Sequence, residues 1–359
     1  MQIHAVAERL VSRGHEVLLL ASRFPGCVSE TEIRGVRVRR QGEWWNANFA
    51  LLAAARRELQ RRPWDVVLED VNKIPFLTPL AHRLPVVVLV PHLFGGTIFR
   101  ETNPLFGAYI WLLERPLPRV YRRALFMPVS ESTRADLVRR GVPAERAMVV
   151  HNGIDFERYD LPVPPPRAAA PTLLHLGRLM RYKSADVAVR ALAAVRTEMP
   201  AARLWVAGDG PDLPRLRRLA DGLGIAGSVE FLGHVPHAEK VRRLWQCHLL
   251  LNPSPKEGWG LTVLEANACG VPVVASRVPG LVDSVRDGET GVLVPYGDAR
   301  GFAHAALGLL RDAERREQLG AQARDWARRF TWEEAALQTE RVLQRAVEEG
   351  AIASRRAGR

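Results

Sequence analysis

The feature that most constrains the fold is a series of short Val- and Leu-rich runs, each separated from the next by a helical stretch. The runs are nearly continuous in apolar residues, as strands covered by helices on both faces are. They lie at 17–21, 36–39, 66–68, 86–90, 125–129 and 148–150, and again at 173–176, 204–207, 229–232, 249–251, 271–275 and 291–294. This order predicts an α/β protein with two parallel, doubly wound sheets.

Length and a proline-rich break indicate two domains. At 359 residues the chain exceeds the size at which a single hydrophobic core usually stops growing. Residues 161–171 are rich in proline and can form neither a helix nor a central strand, so they are typical of a semi-rigid connector. We predict a first domain over 1–160, a linker over 161–171, a second domain over 172–328, and a C-terminal helix over 329–350 that packs back on the first domain.

The beginning of the chain departs from the usual order of a doubly wound domain. Ile3, Val6 and Leu10 share one helical face, and Gly14 is placed to end that helix. Such a domain normally opens with a strand and a tight glycine-containing turn. We therefore expect the first domain to lack its N-terminal strand and Gly-rich loop, as it would in a chain that starts late.

Composition is that of a globular protein, with 47% hydrophobic and 25% charged residues. No apolar run approaches the roughly 20 residues of a membrane-spanning helix, and the N-terminus lacks the apolar stretch of a signal peptide. Cys27, Cys247 and Cys269 have spacings that suit neither a disulfide framework nor a zinc site. We expect a cytoplasmic protein whose net charge of +12 attracts phosphates or anionic headgroups.

The densest candidate site is the segment 257–265. Glu257 stands before a predicted helix and Glu265 lies about two turns into it. Gly258 and Gly260 allow a close approach of the backbone to a ligand, and the first turn of a helix offers free N–H groups to a phosphate or a sugar. Both carboxylates can accept hydrogen bonds from hydroxyl groups. The alternative is that the two glutamates only decorate the surface.

Two further candidates follow predicted strands. Arg178 and Lys183 come after the strand at 173–176, and a planar guanidinium with a compact ammonium suits a diphosphate. His92 comes after the strand at 86–90, at the end of a strand where open α/β sheets place their ligands. Taken alone, the two cations could be ordinary exposed residues and the histidine a structural one.

The stretch 252–295 resembles the family 4 retaining glycosyltransferases of GT-B fold, whose mark is this pair of glutamates with seven residues between them. Residues 288–291 and 293–295 continue the resemblance. It implies two Rossmann-like domains facing a cleft, the first on the acceptor side and the second binding the nucleotide sugar. The chain departs from the family at Trp259, where Phe is commoner, and at Ser184, where Gly usually follows the lysine.

The resemblance also implies roles for single residues. Glu257 would contact the donor sugar and Glu265 the ribose, while Arg178 and Lys183 would bind the diphosphate and stabilise it as a leaving group. The catalytic candidates are His92, Glu257, Arg178 and Lys183. The donor-binding candidates are Arg178, Lys183, Gly233, His234, Glu257, Gly258, Trp259, Gly260, Leu261, Thr262 and Glu265, with Gly233 and His234 placed near the base.

The function that follows is a retaining, hexosyltransferase-type glycosyltransferase that moves a sugar from a nucleotide-diphosphate donor to a hydroxyl acceptor, either a glycan or a lipid-linked molecule. The chain contains no Asp-x-Asp pair, so we expect no required metal and no cofactor besides the donor. Gly208-Asp209-Gly210 lacks the third glycine of a dinucleotide fingerprint. Two alternatives stay open: a nucleotide-sugar epimerase of the same fold, and a catalytically silent nucleotide-sugar-binding protein.

The segment 94–123 interleaves large apolar residues with arginines. Such a segment could rest on anionic headgroups at the inner face of the membrane and reach a lipid-linked acceptor, or it could simply cover the first sheet. Nucleic acid is not expected, because the basic residues lack the aromatic interleaving of a stacking platform. The residues concerned are Phe94, Phe99, Phe106, Tyr109, Trp111, Leu112 and Leu113 with Arg100, Arg115, Arg119, Arg122 and Arg123.

Overall fold

The computed structural model describes residues 2–43, 45–72, 74–100 and 102–357. The chain divides into two compact units, of which the first comprises 1–153 with 332–359 and the second 154–331. The sequence predicts boundaries at 160 and 328, with a linker over 161–171. That proline-rich stretch lies inside the second unit, where Ala168 N donates to Gln246 O at 2.9 Å.

The first unit opens with the helix that the sequence predicts. In α1, Ala7 packs with Val36 and Val38 in a small apolar cluster. Gly14, with φ of 92°, ends the turn that follows. The elements up to residue 139 are α1 (Gln2–Ser12), β1 (Leu18–Ala21), β2 (Glu30–Ile33), β3 (Val36–Arg40), α2 (Ala47–Arg61), β4 (Val67–Asp70), β5 (Val86–Val90), α3 (Pro104–Glu114), α4 (Leu117–Val120), β6 (Leu125–Pro128) and α5 (Glu131–Arg139).

The strands of the first unit form two sheets, ordered β1-β3-β2 and β4-β5-β6. The second sheet is parallel, but β2 pairs antiparallel with β3. The expectation of one parallel sheet in this half is therefore wrong in that detail. The hairpin turns at Arg34 and Gly35, whose φ values of 50° and 78° give the left-handed pair that matches strand twist.

One predicted strand of the first unit does not form. Residues 148–150 run beside β6, and Met148 N donates to Phe126 O at 2.9 Å while Val150 N donates to Pro128 O at 3.0 Å. The segment is nevertheless irregular, because only Ala147 makes a bridge to Phe126. In the described part of the chain, β1 and β4 are edge strands of their sheets.

The second unit is a six-stranded parallel sheet in the order β12-β11-β10-β7-β8-β9. Every run that the sequence predicts in this half forms a strand, with helices between successive strands. The core of this unit is built from buried apolar residues of the strands and of two helices, α6 (Ala185–Glu198) and α11 (Ala299–Arg311). The elements are β7 (Thr172–Leu176), α6 (Ala185–Glu198), β8 (Arg203–Ala207), α7 (Leu213–Gly222), β9 (Val229–Gly233), α8 (His237–Gln246), β10 (Leu249–Asn252), α9 (Leu261–Ala268), β11 (Val273–Ser276), α10 (Leu281–Ser284), β12 (Gly291–Val294), α11 (Ala299–Arg311) and α12 (Ala313–Ala327).

The last helix, α13 (Trp332–Ala357), belongs to the first unit. It runs beyond residue 350, where the sequence predicted its end. Glu349 Oε2 accepts from Arg146 Nη1 at 3.3 Å, and Gly350 sits so close to Pro85 that a Cβ there would lie 2.6 Å from the proline ring. These contacts hold the helix against the sheet that contains β5 and β6.

Candidate active site

The strand order of the second unit creates a switch point at its first strand. From β7 the chain moves outward through β8 and β9, and then returns to the other side of β7 with β10. The loops that leave neighbouring strands on either side of such a point diverge and leave a crevice at the carboxyl ends of the strands. The segments after β7 and β10 hold Lys183 and Glu257, so both candidates lie at this edge.

Lys183 and Glu257 form an ion pair at the switch point. The Lys183 ammonium donates to Glu257 Oε1 at 2.7 Å, although 74 residues separate them in sequence. Each side chain keeps about a fifth of its surface exposed, 20% and 19%. A carboxylate beside an ammonium at an accessible edge can bind a sugar hydroxyl and a phosphate oxygen side by side.

The loop that carries Arg178 packs against the backbone of two glycines in the neighbouring loop. Gly208 and Gly210 follow β8, and a Cβ on them would lie 1.9 Å from Gly177 O and 2.3 Å from Leu179 O. These glycines therefore let the two loops touch backbone to backbone, a role that the sequence analysis did not predict. Arg178 itself is exposed, with its Nη2 3.2 Å from the Tyr182 hydroxyl.

The segment before α9 is shaped by close backbone packing. Gly260, with φ of 71°, is the residue that precedes the first turn of α9. A Cβ on Gly280 would lie 2.0 Å from Glu257 O, so the 279–280 turn presses directly on the glutamate's backbone. Trp259 is 3% exposed and meets the Phe330 ring edge-on at 4.9 Å, so its side chain belongs to the core.

Leu261 and Thr262 start α9 directly after Gly260. Their backbone N–H groups belong to the first turn, which has no intrahelical acceptors to offer them. The Thr262 hydroxyl accepts from Asn252 Nδ2 at 3.3 Å, which ties the helix start to the end of β10. The candidates from Gly258 to Thr262 thus form one continuous segment between Glu257 and the first turn of α9.

Glu265 lies about one turn into α9, not the two turns that the sequence predicts, because the helix begins only at Leu261. It has partners of its own. Its Oε1 accepts from the Tyr159 hydroxyl at 2.8 Å and from the Lys240 ammonium at 2.7 Å. The sequence analysis missed both partners. No pattern could reveal them, because Tyr159 lies 106 residues from Glu265 and carries no motif.

Gly233 and His234 lie at the same edge, at the carboxyl end of β9. Gly233 has φ of 66° and its carbonyl oxygen accepts from Gly208 N at 2.7 Å, while His234 is exposed. The structure therefore brings the predicted donor-binding residues of the second unit to the carboxyl ends of three strands, β10, β7 and β9.

A buried histidine supports this edge from below. His175 of β7 is 3% exposed, and its Nδ1 lies 3.2 Å from Leu251 O of β10. Burial lowers the pKa of His175 to about 4, so the ring is neutral near pH 7. It adds no charge beneath Lys183 and Glu257.

His92 belongs to the first unit, whereas the other candidates belong to the second. It follows β5 and meets the Phe94 ring edge-on at 4.6 Å. The loop is anchored by Glu114, whose carboxylate accepts from Phe94 N and Gly95 N, each at 2.8 Å, and from Arg140 Nη1 at 3.3 Å. Glu114 is 3% exposed, so this anchor is shielded from water.

The three cysteines are free thiols, two of them buried. Burial raises the pKa of Cys247 to about 12, so that thiol is unreactive. The described residues include no group of three or more histidine, cysteine or acidic side chains arranged to hold a metal ion. Among the described helices, none combines the length and apolar character that crossing a bilayer requires.

Two α/β units with parallel sheets are the architecture of the GT-B fold of glycosyltransferases. Two family descriptions match the chain in succession. "Glycosyltransferase Family 4" matches residues 1–158, and "Glycosyl transferases group 1" matches residues 162–326. The chain belongs to the family 4, group 1 glycosyltransferases, as the glutamate pair predicted.

Individual relatives agree with this placement. The D-inositol 3-phosphate glycosyltransferase of Geodermatophilus obscurus is 36% identical over 68% of this chain and 59% of its own length. The sucrose-phosphate synthase of Thermosynechococcus elongatus superposes with a TM-score of 0.79 at 21% identity over 96% of this chain and 92% of that one. The Anabaena protein HepE in complex with UDP-glucose gives 0.70 at 20% identity over 87% and 86%. The chain spans about half the length of curated relatives that it matches, from 38% to 59% in eight of them.

Proposed function

We propose that this chain is a retaining, metal-independent glycosyltransferase that moves a sugar from a nucleoside-diphosphate donor to a hydroxyl acceptor. The observation that carries the proposal is the Lys183–Glu257 ion pair of 2.7 Å at the switch point of the second unit. A pyrophosphate-linked sugar needs a cation for its phosphates and an acceptor for its hydroxyls, and this pair offers both at one place. The UDP-glucose bound by HepE, which has the same fold, supports a donor of this class.

In the proposed reaction the diphosphate is met by Lys183, Arg178 and the first turn of α9. The bond between the anomeric carbon and the diphosphate oxygen breaks, and its electron pair leaves with the diphosphate. The acceptor oxygen forms the new bond on the same face of the sugar, so configuration is retained. The acceptor's proton passes to the departing phosphate oxygen. Fixed cations stabilise the charge that develops there, which is the term on which such catalysis depends most.

No metal enters this reaction, because two cations and a helix start take over the charge of the diphosphate. The chain's lack of an Asp-x-Asp pair supports the same proposal. His92 is proposed to act on the sugar or the acceptor. Its replacement by alanine should lower transfer while nucleoside-diphosphate binding to the second unit stays unchanged.

The test begins with thermal stabilisation by UDP-, GDP- and ADP-sugars. A donor at a hundredfold excess over its Kd should raise the unfolding free energy by about 2.7 kcal/mol. The stabilising donor is then incubated with hydroxyl acceptors in the presence of EDTA, and the anomeric configuration of the product is read by NMR. Transfer with retention supports the proposal. Epimerised donor without transfer would indicate a nucleotide-sugar epimerase. Binding without turnover would indicate a catalytically silent binding protein. Either result would overturn the proposal of a glycosyltransferase.

We further propose that the acceptor is lipid-linked and that the first unit rests on an anionic membrane surface, which would place the protein at the cytoplasmic face. The exposed side of α3 carries Leu105, Tyr109 and Leu112, which are 86%, 38% and 58% exposed. They lie opposite the side that buries Ile110 in a cluster with Phe94 and Ile98. An exposed apolar ridge of this kind is typical of an interaction surface.

Exposed arginines follow that ridge along the chain. Arg115 stacks on Trp111, with its guanidinium carbon 4.3 Å from the ring centroid, and Arg119, Arg122 and Arg123 are exposed. The side chain of Arg100, which the sequence analysis included, lies outside the described residues. Apolar residues beside arginines match the interface of an anionic bilayer, where rings sit among the headgroups and arginines meet phosphates.

Flotation with vesicles tests this surface. The chain should bind phosphatidylglycerol-containing vesicles, less so at high salt, and should not bind pure phosphatidylcholine. Leu105→Ser with Leu112→Ser should abolish binding, whereas the matched control Leu80→Ser with Val163→Ser, also exposed apolar residues, should not. Absence of binding at low salt, or equal loss in the control, would refute the membrane proposal without affecting the donor site.

A further inference from the structure

Glu265 carries a paired anchor on one of its two oxygens. Both the Tyr159 hydroxyl, at 2.8 Å, and the Lys240 ammonium, at 2.7 Å, bind Oε1. The two donors also contact each other, since Lys240 Nζ lies 3.2 Å from the Tyr159 hydroxyl. Oε2 takes part in neither bond. The carboxylate is thus held by one oxygen while the other stays available.

Tyr159 is itself firmly held. It is 5% exposed, its carbonyl oxygen accepts from the Trp245 indole at 2.8 Å, and its ring meets the His237 ring edge-on at 5.3 Å. Burial, and next the charge of Glu265, raise the pKa of the Tyr159 hydroxyl above its usual range. The hydroxyl therefore keeps its proton and acts as a donor.

We propose that Tyr159 and Lys240 are positioning residues that hold the Glu265 carboxylate for the ribose diol of the donor, and that they thereby make the site prefer ribonucleotides to 2′-deoxyribonucleotides. This inference rests on the proposed function, in which Glu265 binds the ribose. A vicinal diol presents two O–H donors at a fixed separation, and Oε2, which has two lone pairs, can accept from both only when the carboxylate plane is fixed. The anchor on Oε1 fixes that plane.

The anchor also sets the charge of the subsite. The Lys240 ammonium offsets the Glu265 carboxylate, so that a second negative group near the diphosphate does not repel the ligand. Removal of the Tyr159 hydroxyl loses orientation and leaves the charges as they are. Removal of the Lys240 charge loses both the orientation of the Glu265 carboxylate and the compensation of its charge. Both variants should therefore lower the preference for ribonucleotides, and the Lys240 variant should lower it more.

The experiment compares the affinities of UDP, GDP and ADP with those of their 2′-deoxy counterparts by calorimetry. We expect the wild-type chain to prefer the ribonucleotide and the preference to fall about tenfold in Tyr159→Phe, the change that one hydrogen bond to a charged group accounts for. Lys240→Gln should lower it further. In transfer assays KM for the donor should rise while kcat stays near the wild-type value, because the reacting atoms are untouched.

Arg242→Gln is the matched control. Arg242 lies on α8 with Lys240 but pairs with Glu239, at 2.7 Å, and not with Glu265. Its loss should leave the ribose preference unchanged. A Tyr159→Phe variant that folds and keeps the wild-type ratio of ribonucleotide to deoxyribonucleotide affinity would overturn the inference while the donor site stands. A wild-type chain that binds none of the nucleotides would overturn the proposed function, and this inference with it.

Discussion

Lys183 and Glu257 are each held in position by the other, 2.7 Å away, before any ligand binds. A diphosphate that arrives finds the ammonium already placed and has only to replace or share the carboxylate as its partner. Preorganised charge of this kind costs little reorganisation when the leaving group departs. Replacement of either side chain should therefore have a measurable effect on sugar transfer.

Replacement of Lys183 by alanine should lower kcat about 10²–10³-fold, the loss seen when one donor to a developing anion is removed. Glu257→Gln should raise KM more than it lowers kcat. The loss of kcat should be the smaller effect because the amide oxygen of glutamine can still accept a hydrogen bond from a sugar hydroxyl. Steady-state transfer assays give both constants. Unchanged turnover in both variants would remove this pair from the mechanism.

Ser184 shows how the family's glycine is replaced here. It has φ of 55° and ψ of 35°, and its hydroxyl lies 3.1 Å from that of Tyr296. In this left-handed conformation glycine is strain-free and alanine is not. We predict that Ser184→Gly is about 1 kcal/mol more stable than Ser184→Ala in urea denaturation, the reverse of the usual order in a helix. A less stable glycine variant would contradict this account.

At the scale of elements, the loop after β5 depends on a residue of α3. The Glu114 carboxylate accepts from two consecutive backbone N–H groups, those of Phe94 and Gly95, and all three residues are buried. A buried N–H that loses its acceptor costs about 1–3 kcal/mol. The loop that carries His92 should therefore lose its fixed position when this carboxylate is removed.

Glu114→Ala should lower kcat/KM for transfer and leave the nucleoside-diphosphate Kd unchanged, because the donor residues belong to the other unit. Glu114→Gln, which keeps one acceptor oxygen, should recover part of the activity. Asp136→Asn is the control, since Asp136 also pairs with Arg140, at 3.2 Å, and has no bond to the loop. Equal losses in Asp136→Asn and Glu114→Ala would point to Arg140 rather than to the loop.

Elements differ in how well the sequence predicts them. The strands of the second unit are buried on both faces and read as continuous apolar runs, so their positions could be predicted within two residues. β2 was missed because Glu30, Thr31 and Glu32 form an exposed, polar edge strand that has no apolar signature. Residues 148–150 are apolar but bond to β6 without forming a regular strand, so an apolar run alone was insufficient.

The candidate site divides in the same way. Arg178, Lys183, Glu257 and Glu265 lie in local motifs, and the sequence was sufficient to name them. The anchor on Glu265 joins residues that are up to 106 apart, and only the folded chain brings them together. Gly208 and Gly210 were dismissed as an incomplete fingerprint, although they support the loop of Arg178.

At the scale of the whole molecule, each unit contains one buried group whose contribution to stability should change with acid, and the two contributions have opposite signs. His175 in the second unit has a pKa lowered to about 4, from 6.5, by burial. Its unfolded form binds a proton first as pH falls, so stability is lost from pH 6.5 down to about 4. Asp70 in the first unit has a pKa raised to about 6 by burial, so its contribution rises as pH falls through that value.

The shift of His175 should contribute about 2 kcal/mol to the loss of second-unit stability between pH 7.5 and pH 5. His175→Asn keeps an N–H donor but cannot titrate. The loss of second-unit stability between the two pH values should therefore be smaller by about 2 kcal/mol in this variant. Calorimetric unfolding at the two pH values measures the difference, in which the packing cost of the substitution cancels. An identical pH dependence in both proteins would show that His175 is not protected from protonation.

The measurement that tests the central claim most directly is the affinity of the protein for a nucleoside diphosphate relative to its monophosphate, using the base that stabilises it. The ratio isolates the second phosphate, which Lys183 binds together with Arg178 and the first turn of α9 in the proposed site. In Lys183→Ala the ratio should fall about tenfold, the change that one hydrogen bond to a charged group accounts for, while Arg181→Ala, an exposed cation in the same turn, should keep the wild-type ratio. A Lys183→Ala variant that distinguishes the two nucleotides as well as the wild type does would contradict the proposed donor site.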